Sequence, residues 1–209
     1  MSSNHWSDAY FGPLYRESVR PFLTPALSRV ETEAIAALLA LTARERVLDL
    51  GCGHGRHGAL LRERGFKWVG LDRSGAYLAE AAAALPAAAL SRGDQRALPF
   101  RACFDAIYSW YASLFIFDDA TNLACLREAA RCLRPGGRLL VHHANPSRLI
   151  DDADAGAGHR LADGTLVEET SQFDAQTGVD HCHRRLIRPD GEVLEASAFL
   201  RYYNPKEWA

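Results

Sequence analysis

Two spacings of apolar residues alternate along the first two thirds of the chain. Short apolar runs, typical of buried strands, are separated by segments whose apolar residues recur every three or four positions, as in amphipathic helices. The predicted strands are residues 46–50, 67–72, 87–93, 104–110 and 138–143, and the predicted helices are residues 30–41, 54–64, 74–85 and 120–133. This alternation predicts an α/β fold, a doubly wound Rossmann-like arrangement with a mostly parallel sheet.

The spacing changes after residue 145. Residues 165–174, 179–187 and 192–203 alternate apolar and polar side chains and are separated by short turns, which predicts a three-stranded antiparallel β insertion. The first 30 residues are rich in aromatic side chains and interrupted by prolines, so we expect a short helical arm there. We therefore divide the chain into an aromatic N-terminal arm (1–30), a ligand-binding α/β domain (30–150) and an antiparallel β extension (160–204).

Composition narrows the class of protein. The 209 residues are 48% hydrophobic with a formal charge of -2, so nothing favours a nucleic-acid or membrane partner on electrostatic grounds. No apolar run approaches the roughly 18 residues of a membrane span, and the first residues lack the pattern of a signal peptide. The five scattered cysteines form no C-x-x-C pair and are expected to be reduced thiols, which favours a cytoplasmic protein.

The segment V-L-D-L-G-C-G-H-G-R-H (residues 47–57) follows the first strand and carries glycine at every second position. A phosphate-binding loop would require a Lys followed by Ser or Thr after the glycines, and none is present. A dinucleotide fingerprint would require a third glycine where Arg56 stands, so an NAD-dependent oxidoreductase is disfavoured. In a parallel sheet this loop lies in the crevice at the carboxyl ends of the strands, where ligands bind.

Three acidic residues lie at or just after the ends of the first three predicted strands. Asp49 precedes the glycines, and Asp72 ends the second strand, where a carboxylate can accept hydrogen bonds from a ribose diol and would repel a 2′-phosphate. Asp94 follows the third strand, where it can accept from the exocyclic amine of adenine. Either Asp72 or Asp94 alone is equally explained as a helix cap, but their joint placement favours a nucleoside ligand.

Five segments occur in the order of the motifs of class I S-adenosylmethionine-dependent methyltransferases, which the chain resembles from about Val30 to Asn145. They are V-L-D-L-G-C-G-H-G-R-H, G-L-D-R-S, G-D-Q-R-A-L-P-F, F-D-A-I-Y-S-W and L-R-P-G-G-R-L-L-V. The arm and the β insertion resemble a bacterial branch that acts on small molecules. The resemblance implies methyl transfer from S-adenosylmethionine to a small-molecule acceptor at N, O or C, with S-adenosylhomocysteine as product. The alternative is a protein that binds this cofactor without turnover.

The resemblance also implies a set of cofactor contacts. The glycines approach the methionine and ribose parts, Asp49 orients the loop, Asp72 takes the ribose hydroxyls and Asp94 takes the adenine amine. The implied site comprises Asp49, Gly51, Cys52, Gly53, Gly55, Arg56, Asp72, Arg73, Asp94, Gln95, Ser109 and Trp110. Arg56 is a separate inference, because a cation opposes the dipole at a helix N-terminus and needs a reason, such as the cofactor carboxylate. A solvated surface arginine remains the alternative.

No catalytic nucleophile and no metal ligand set is evident. His142 and His143 follow the fifth strand, where a general base could meet an acceptor, and Tyr111 lies after the fourth strand; ordinary packing is the alternative for each. His181 and His183 share one strand face, but a plain strand surface is favoured over a metal site there.

The last residues depart from the family that the chain resembles. Class I methyltransferases usually continue after this point with a helix and an antiparallel strand pair, which are absent here. Residues 204–209 instead have the pattern of a helix start, with Asn204 as N-cap. Either the sequence is truncated or another chain covers the exposed edge of the fifth strand, and we therefore expect self-association or marginal stability.

Overall fold

The computed structural model describes residues 6–111, 113–149 and 157–208, which divide into two compact units. The α/β unit comprises Thr24–Leu114 and Asp118–His143, and the β unit comprises Met1–Leu23, Phe115–Phe117 and Ala144–Ala209.

Helices and strands alternate in the α/β unit, whereas the β unit combines short helices with antiparallel strands. The helices are α1 (Trp6–Ala9), α2 (Tyr15–Val19), α3 (Pro25–Leu38), α4 (Arg56–Glu63), α5 (Gly75–Ala84), α6 (Asp119–Cys132) and α7 (Pro146–Leu149), with a π-helical turn at Tyr10–Leu14 and a 3-10 turn at Arg20–Phe22. The strands are β1 (Arg46–Leu50), β2 (Lys67–Asp72), β3 (Ala89–Arg92), β4 (Phe104–Ser109), β5 (Leu133–Val141), β6 (Ala157–Arg160), β7 (Leu166–Asp174), β8 (Val179–Ile187) and β9 (Val193–Arg201).

The α/β unit is built on a five-stranded parallel sheet of order β3-β2-β1-β4-β5. Strand β1 lies at its centre, with Leu48 opposite Val69 on one side and opposite Ile107 on the other. The chain runs outward from β1 in both directions, so the strand order reverses between β1 and β4. The predicted doubly wound fold is confirmed, and a ligand crevice is expected at the carboxyl ends of these two strands.

Several boundaries differ from the sequence prediction in this unit, by most at the starts of α3 and β5. Helix α3 begins at Pro25 rather than residue 30, because Thr24 accepts the Leu27 N–H at 3.1 Å and proline suits the first turn of a helix. Strand β5 begins at Leu133 and ends at Val141, so it contains the predicted turn at residues 134–137. Its register with β4 shifts there, since Phe104 pairs with Leu133 but Ala106 pairs with Arg138.

The β unit contains a four-stranded antiparallel sheet of order β6-β7-β8-β9. The predicted number of three strands is wrong, because β6 pairs with β7 from Ala157 opposite Glu169 to Arg160 opposite Leu166. The sequence A-G-H-R has no apolar alternation, and its place in the sheet rests on backbone pairing at an edge. Residues 205–208 form a turn and not a helix, although the Oδ1 of the predicted cap Asn204 does accept the backbone N–H of Lys206 at 2.9 Å.

A small aromatic core joins the arm to the strands within the β unit. Tyr10 packs there against Cys182 and Ala198, and all three side chains are buried. The guanidinium of Arg184 lies 4.9 Å from the centroid of the Tyr10 ring and donates three hydrogen bonds to Glu169, at 2.8, 2.9 and 3.3 Å. Aromatic faces and a carboxylate together therefore stabilise a buried cation. In the described part of the chain, no helix is long and apolar enough to span a bilayer.

Candidate functional site

The loop between β1 and α4 is held in a conformation that glycine adopts readily. Gly51, Gly53 and Gly55 have φ angles of +81°, +54° and +77°, in the left-handed region. The backbone N–H groups of Gly51 and Cys52 both donate to the carbonyl of Leu71, at 2.9 and 3.0 Å. The loop is therefore anchored to the carboxyl end of β2 by its backbone.

The three glycines differ in what surrounds them. A Cβ atom on Gly51 would lie 2.7 Å from the Cβ of Ser113, and one on Gly55 would lie 3.0 Å from the Leu85 side chain. A Cβ atom on Gly53 would meet nothing within 4 Å. Packing within the chain thus accounts for the missing side chains at Gly51 and Gly55, and Gly53 is the member of the trio beside open space.

Asp72 joins the end of β2 to this loop. Its Oδ2 accepts the Gly53 N–H at 2.7 Å, and its Oδ1 accepts the Ser74 N–H at 2.8 Å, where Ser74 caps α5. Burial raises the pKa of Asp72 even though these backbone hydrogen bonds oppose the shift. The structure therefore brings together two features that the sequence placed on different strands.

Asp49 lies beneath the loop and is 3% exposed. Its Oδ2 accepts from the Tyr108 hydroxyl at 2.6 Å, and the Trp68 indole N–H donates to the same hydroxyl oxygen at 3.2 Å. Burial raises the pKa of Asp49 to about 7, although the Tyr108 hydrogen bond opposes this shift. Tyr108 and Trp68 were not predicted from the residue order, because their link to Asp49 depends on strand register: Asp49 faces Tyr108 across the β1–β4 pair.

Asp94 forms an ion pair with Arg96, which lies two residues further along the chain. Its carboxylate accepts from Arg96 Nε at 3.0 Å and from Arg96 Nη2 at 2.6 Å, and this guanidinium lowers the pKa of Asp94. Gln95 and Arg73 are half-buried. The Arg73 carbonyl accepts from Arg92 at 3.2 Å.

Two polar groups at the end of β4 have no hydrogen-bond partner among the described residues. Both the Ser109 hydroxyl oxygen and the Trp110 indole nitrogen are buried there. An unsatisfied buried polar group costs about 1–3 kcal/mol, so such groups are rare in folded proteins and call for an explanation. A ligand that accepts from these two donors would supply one.

Arg56 begins α4 and is paired with Glu31 of α3. Its Nη1 donates to Glu31 Oε2 and to the Ser28 hydroxyl, the latter at 3.2 Å. Pairing with Glu31 explains how a cation is accommodated at a helix N-terminus, and this pairing was not predicted from the sequence. The signal was available: Glu31 lies on the same helical face as Ser28 and Ile35, all three buried, and an acid on a buried face is unusual.

Two further donors converge on Glu31. The Nε2 atom of His57 lies 3.0 Å from Glu31 Oε2, and the Tyr111 hydroxyl donates to Glu31 Oε1. Burial would raise the pKa of Glu31, but the hydrogen bonds from Tyr111, Arg56 and His57 outweigh it and lower the pKa to about 2. Burial and the neighbouring Arg56 lower the pKa of His57 to about 4. At neutral pH, Glu31 is therefore ionised and His57 is neutral.

The weak catalytic candidates also have local partners. The Tyr111 backbone N–H donates to His142 Nδ1 at 3.3 Å, and the His142 ring stacks on Trp110 with centroids 4.2 Å apart. Burial lowers the pKa of His142. The imidazole is thus neutral at physiological pH with its proton on Nε2, which makes that nitrogen a donor. His143 follows directly and is half-buried.

The paired histidines of the β unit have strand-surface partners. His183 Nδ1 lies 3.0 Å from the Ser197 hydroxyl on the neighbouring strand. Across residues 6–111, 113–149 and 157–208, no group of three or more His, Cys, Asp or Glu side chains is arranged to hold a metal ion.

Comparison with known proteins finds methyltransferases that are similar to this chain. Residues 47–137 match the family model described as a methyltransferase domain. A demethylmenaquinone methyltransferase from Beutenbergia cavernae is 40% identical over 109 residues, which cover 51% of this chain and 44% of the relative. A trans-aconitate 2-methyltransferase from an Azoarcus species is 39% identical over 149 residues, which cover 65% of this chain and 56% of the relative. The chain thus spans about half the length of these curated relatives.

A solved structure agrees with this match at the level of the fold. The CcbJ methyltransferase from Streptomyces caelestis superposes with a TM-score of 0.72 at 26% identity, covering 85% of this chain and 74% of that chain. The segment matched by the family model runs from β1 into β5 and contains the glycine loop, Asp72, Asp94 and the end of β4. The α/β unit therefore matches a methyltransferase domain, and this match supports the predicted resemblance to the class I S-adenosylmethionine-dependent methyltransferases.

Proposed function

We propose that this chain transfers a methyl group from S-adenosylmethionine to a small-molecule acceptor. The observation that carries the proposal is the hydrogen bond from the Gly53 N–H to Asp72, which joins the open part of the glycine loop to the acid at the end of β2. The two relatives described above are named for small molecules, demethylmenaquinone and trans-aconitate, which supports an acceptor of that class.

The residues at the carboxyl ends of the strands fit this cofactor, which carries an amino acid, a ribose diol and adenine but no phosphate. Both Asp72 oxygens accept backbone N–H groups, and a carboxylate has acceptor sites enough to take a ribose hydroxyl as well. The space beside Gly53 and the unpaired groups on Ser109 and Trp110 are available to the methionine part. Arg56 uses Nη1 within the chain, and nothing in the described part accepts from its Nε or Nη2, which can donate to the cofactor carboxylate.

Asp94 remains the proposed partner of the adenine amine, with Gln95 beside it. Asp94 Oδ1 accepts two N–H groups of Arg96, whereas Oδ2 accepts one and keeps a lone pair for a further donor; the ion pair is partly exposed. Asp49 is proposed to orient the glycine loop from below. Cys52 and Arg73 are proposed as flanking contacts, because they stand next to Gly53 and Asp72 in the chain.

Methyl transfer requires little covalent chemistry from the protein. When bound, S-adenosylmethionine supplies a methyl group on a positively charged sulfur, which leaves as a neutral thioether. The residues of the chain hold donor and acceptor in line at close range, and such positioning supplies much of the acceleration in reactions of this kind. The aromatic faces of Trp110 and Tyr111 favour a nearby positive charge. His142, with its proton on Nε2, donates to the acceptor and orients it.

We also infer a cytoplasmic location and association through β5. All five cysteines are free thiols, which suits a reducing compartment. In the described sheet, β5 pairs only with β4 and leaves its other edge open. Size-exclusion chromatography tests the association, and a cooperatively melting monomer would count against it.

Titration calorimetry with S-adenosylhomocysteine and with NAD tests the proposed function. We expect the first ligand to bind and the second not to bind; tight NAD binding alone would overturn the proposal. Incubation with S-adenosylmethionine and pools of small molecules, followed by mass spectrometry, identifies the acceptor and the atom methylated. Binding of S-adenosylhomocysteine with no methylated product from any pool would favour a cofactor-binding protein without turnover.

A further inference from the structure

Glu31 is a point where three separate segments of the α/β unit meet. It belongs to α3, it accepts from Arg56 and His57 at the start of α4, and it accepts from the Tyr111 hydroxyl in the segment after β4. We infer that Glu31 is a positioning residue of the cofactor site, which holds Arg56 by one nitrogen and so presents the remaining donors to the amino-acid carboxylate of the cofactor. This inference rests on the proposed function.

Burial explains why Arg56 needs a partner but does not by itself explain this geometry. The Arg56 and Glu31 side chains are only 12% and 8% exposed, and a cation at a helix N-terminus opposes the helix dipole. A bidentate pair would stabilise the two charges most directly. Glu31 instead engages Nη1 and shares its oxygens with His57 and Tyr111, which leaves Nε and Nη2 of Arg56 without an acceptor in the described chain.

Tyr111 connects this cluster to the end of β4. Its φ of +58° lies in the left-handed region, which is uncommon for a bulky side chain. Two hydrogen bonds hold it there, from its hydroxyl to Glu31 and from its backbone N–H to His142. The Arg56 guanidinium lies 5.5 Å from the centroid of the Tyr111 ring.

Glu31 thereby links the start of α4 with the segment that carries the unpaired groups of Ser109 and Trp110. The arginine and these two groups are the contacts that we propose for the methionine part of the cofactor. A residue that fixes both contacts at once is expected to affect that part of the cofactor and not the nucleoside part.

Two ligands that differ in this part test the inference. S-adenosylhomocysteine carries the amino-acid carboxylate, whereas 5′-methylthioadenosine lacks it and keeps the ribose and adenine. We expect Glu31→Ala to weaken S-adenosylhomocysteine by about tenfold, since hydrogen bonds to charged groups contribute on that scale, and to leave 5′-methylthioadenosine unchanged. Glu33→Gln is the matched control, because Glu33 lies on the same helix in an exposed pair with Arg64 and should change neither affinity.

Double-variant measurements show whether Glu31 acts through Arg56. In an Arg56→Gln background, Glu31→Ala should cause little further loss of S-adenosylhomocysteine affinity. Equal weakening of both ligands by Glu31→Ala would indicate a structural role and overturn the inference, as would unchanged S-adenosylhomocysteine affinity. If Glu31→Ala does not fold, Glu31→Gln carries the same comparison. Failure of the unaltered protein to bind S-adenosylhomocysteine would instead refute the proposed function, whatever the variants do.

Discussion

The two ends of the parallel sheet differ in the sign and in the burial of their charged side chains. At the carboxyl ends of the strands, Asp49 and Asp72 are withdrawn from water and burial raises the pKa of both groups. At the amino ends, a cleft of about 420 Å³ carries an excess of cations. The charged residues that line it are Arg44, Arg46, Arg62, Lys67, Asp105 and Arg134.

The difference between these ends is one of solvation. Arg134 at the amino end pairs with Asp105 at 2.6 Å while half-exposed, and Arg62 donates to a backbone carbonyl at 3.1 Å. Such exposed pairs are screened by water and contribute little. Buried acids with defined partners are costly to maintain, and groups with perturbed pKa values concentrate at functional sites. Charge density alone would have pointed to the end of the sheet opposite the proposed site.

Replacing Asp49 tests the buried side of this comparison and has the largest expected effect. The pKa of Asp49 is raised to about 7 in the folded protein, against about 3.9 for an unfolded aspartate, so the folded state binds a proton that the unfolded state has lost. Stability from this group is therefore lost as pH rises from about 4 to about 7, by up to about 4 kcal/mol. In Asp49→Asn this loss disappears, so chemical denaturation should show the variant gaining relative to the unaltered protein between pH 5 and pH 8.

His57 acts in the opposite direction and sharpens the same experiment. Its pKa is lowered to about 4 by burial and Arg56, so stability from this group rises with pH from about 4 to about 6.5. In Asp49→Asn the remaining rise should therefore become visible. Parallel stability curves for the two proteins across this range would contradict the placement of Asp49 as a buried, protonated acid.

Asp72→Ala should weaken S-adenosylhomocysteine by about 100-fold, as measured by calorimetry. The variant loses the charged acceptor for the ribose diol and the tether on Gly53, and hydrogen bonds to charged groups contribute about 1.5–3 kcal/mol each. Asp105→Asn is the control at the other end of the same sheet, where Asp105 also accepts a backbone N–H, at 2.8 Å from Arg46. Equal losses in the two variants would break the comparison between the ends.

Two glycine substitutions separate packing from ligand space within the loop. Gly51→Ala would force a Cβ against Ser113 at a positive φ and should lower the free energy of unfolding by about 1–3 kcal/mol. Gly53→Ala also strains a positive φ but meets no atom of the described chain, so it should lose more free energy of S-adenosylhomocysteine binding than free energy of unfolding. Thermal unfolding and calorimetry on both variants measure this contrast, and the reverse ranking would refute it.

Neutralising the basic cleft should have the smallest effect. Arg44 and Lys67 line the amino ends of the strands and are exposed. We expect the double variant Arg44→Gln, Lys67→Gln to retain S-adenosylhomocysteine affinity within about twofold, because exposed charges far from a ligand are screened. A loss comparable to that of Asp72→Ala would mean that the site is not confined to the carboxyl ends.

Local patterns were sufficient for most of the α/β unit. The predicted bounds of β1 and β2 agree with Arg46–Leu50 and Lys67–Asp72, because each is a short apolar run between clear turn or helix signals. Strand β6 was missed because an edge strand without apolar alternation leaves no such signal. The residue order also indicated the glycine loop and Asp72, since the carboxyl ends of parallel strands meet at one edge.

Contacts that depend on packing could not be predicted in the same way. The Asp49–Tyr108 bond requires the register of β1 against β4, and the Glu31 cluster requires the angle at which α3 meets α4. Both involve residues far apart in the chain, so no local spacing indicates them. The Asp94–Arg96 pair is different, because it spans two residues and was open to prediction from the sequence.

The stack of Trp110 on His142 gives the site an optical property. The emission of an indole depends on its surroundings, and here the indole lies in face-to-face contact with an imidazole, with 4.2 Å between ring centroids and 15° between planes. A ligand that accepts from the indole N–H or draws the histidine aside would alter that emission. The chain has four tryptophans, so the ligand-induced change in emission that is lost in Trp110→Phe reports occupancy of this crevice without any added label.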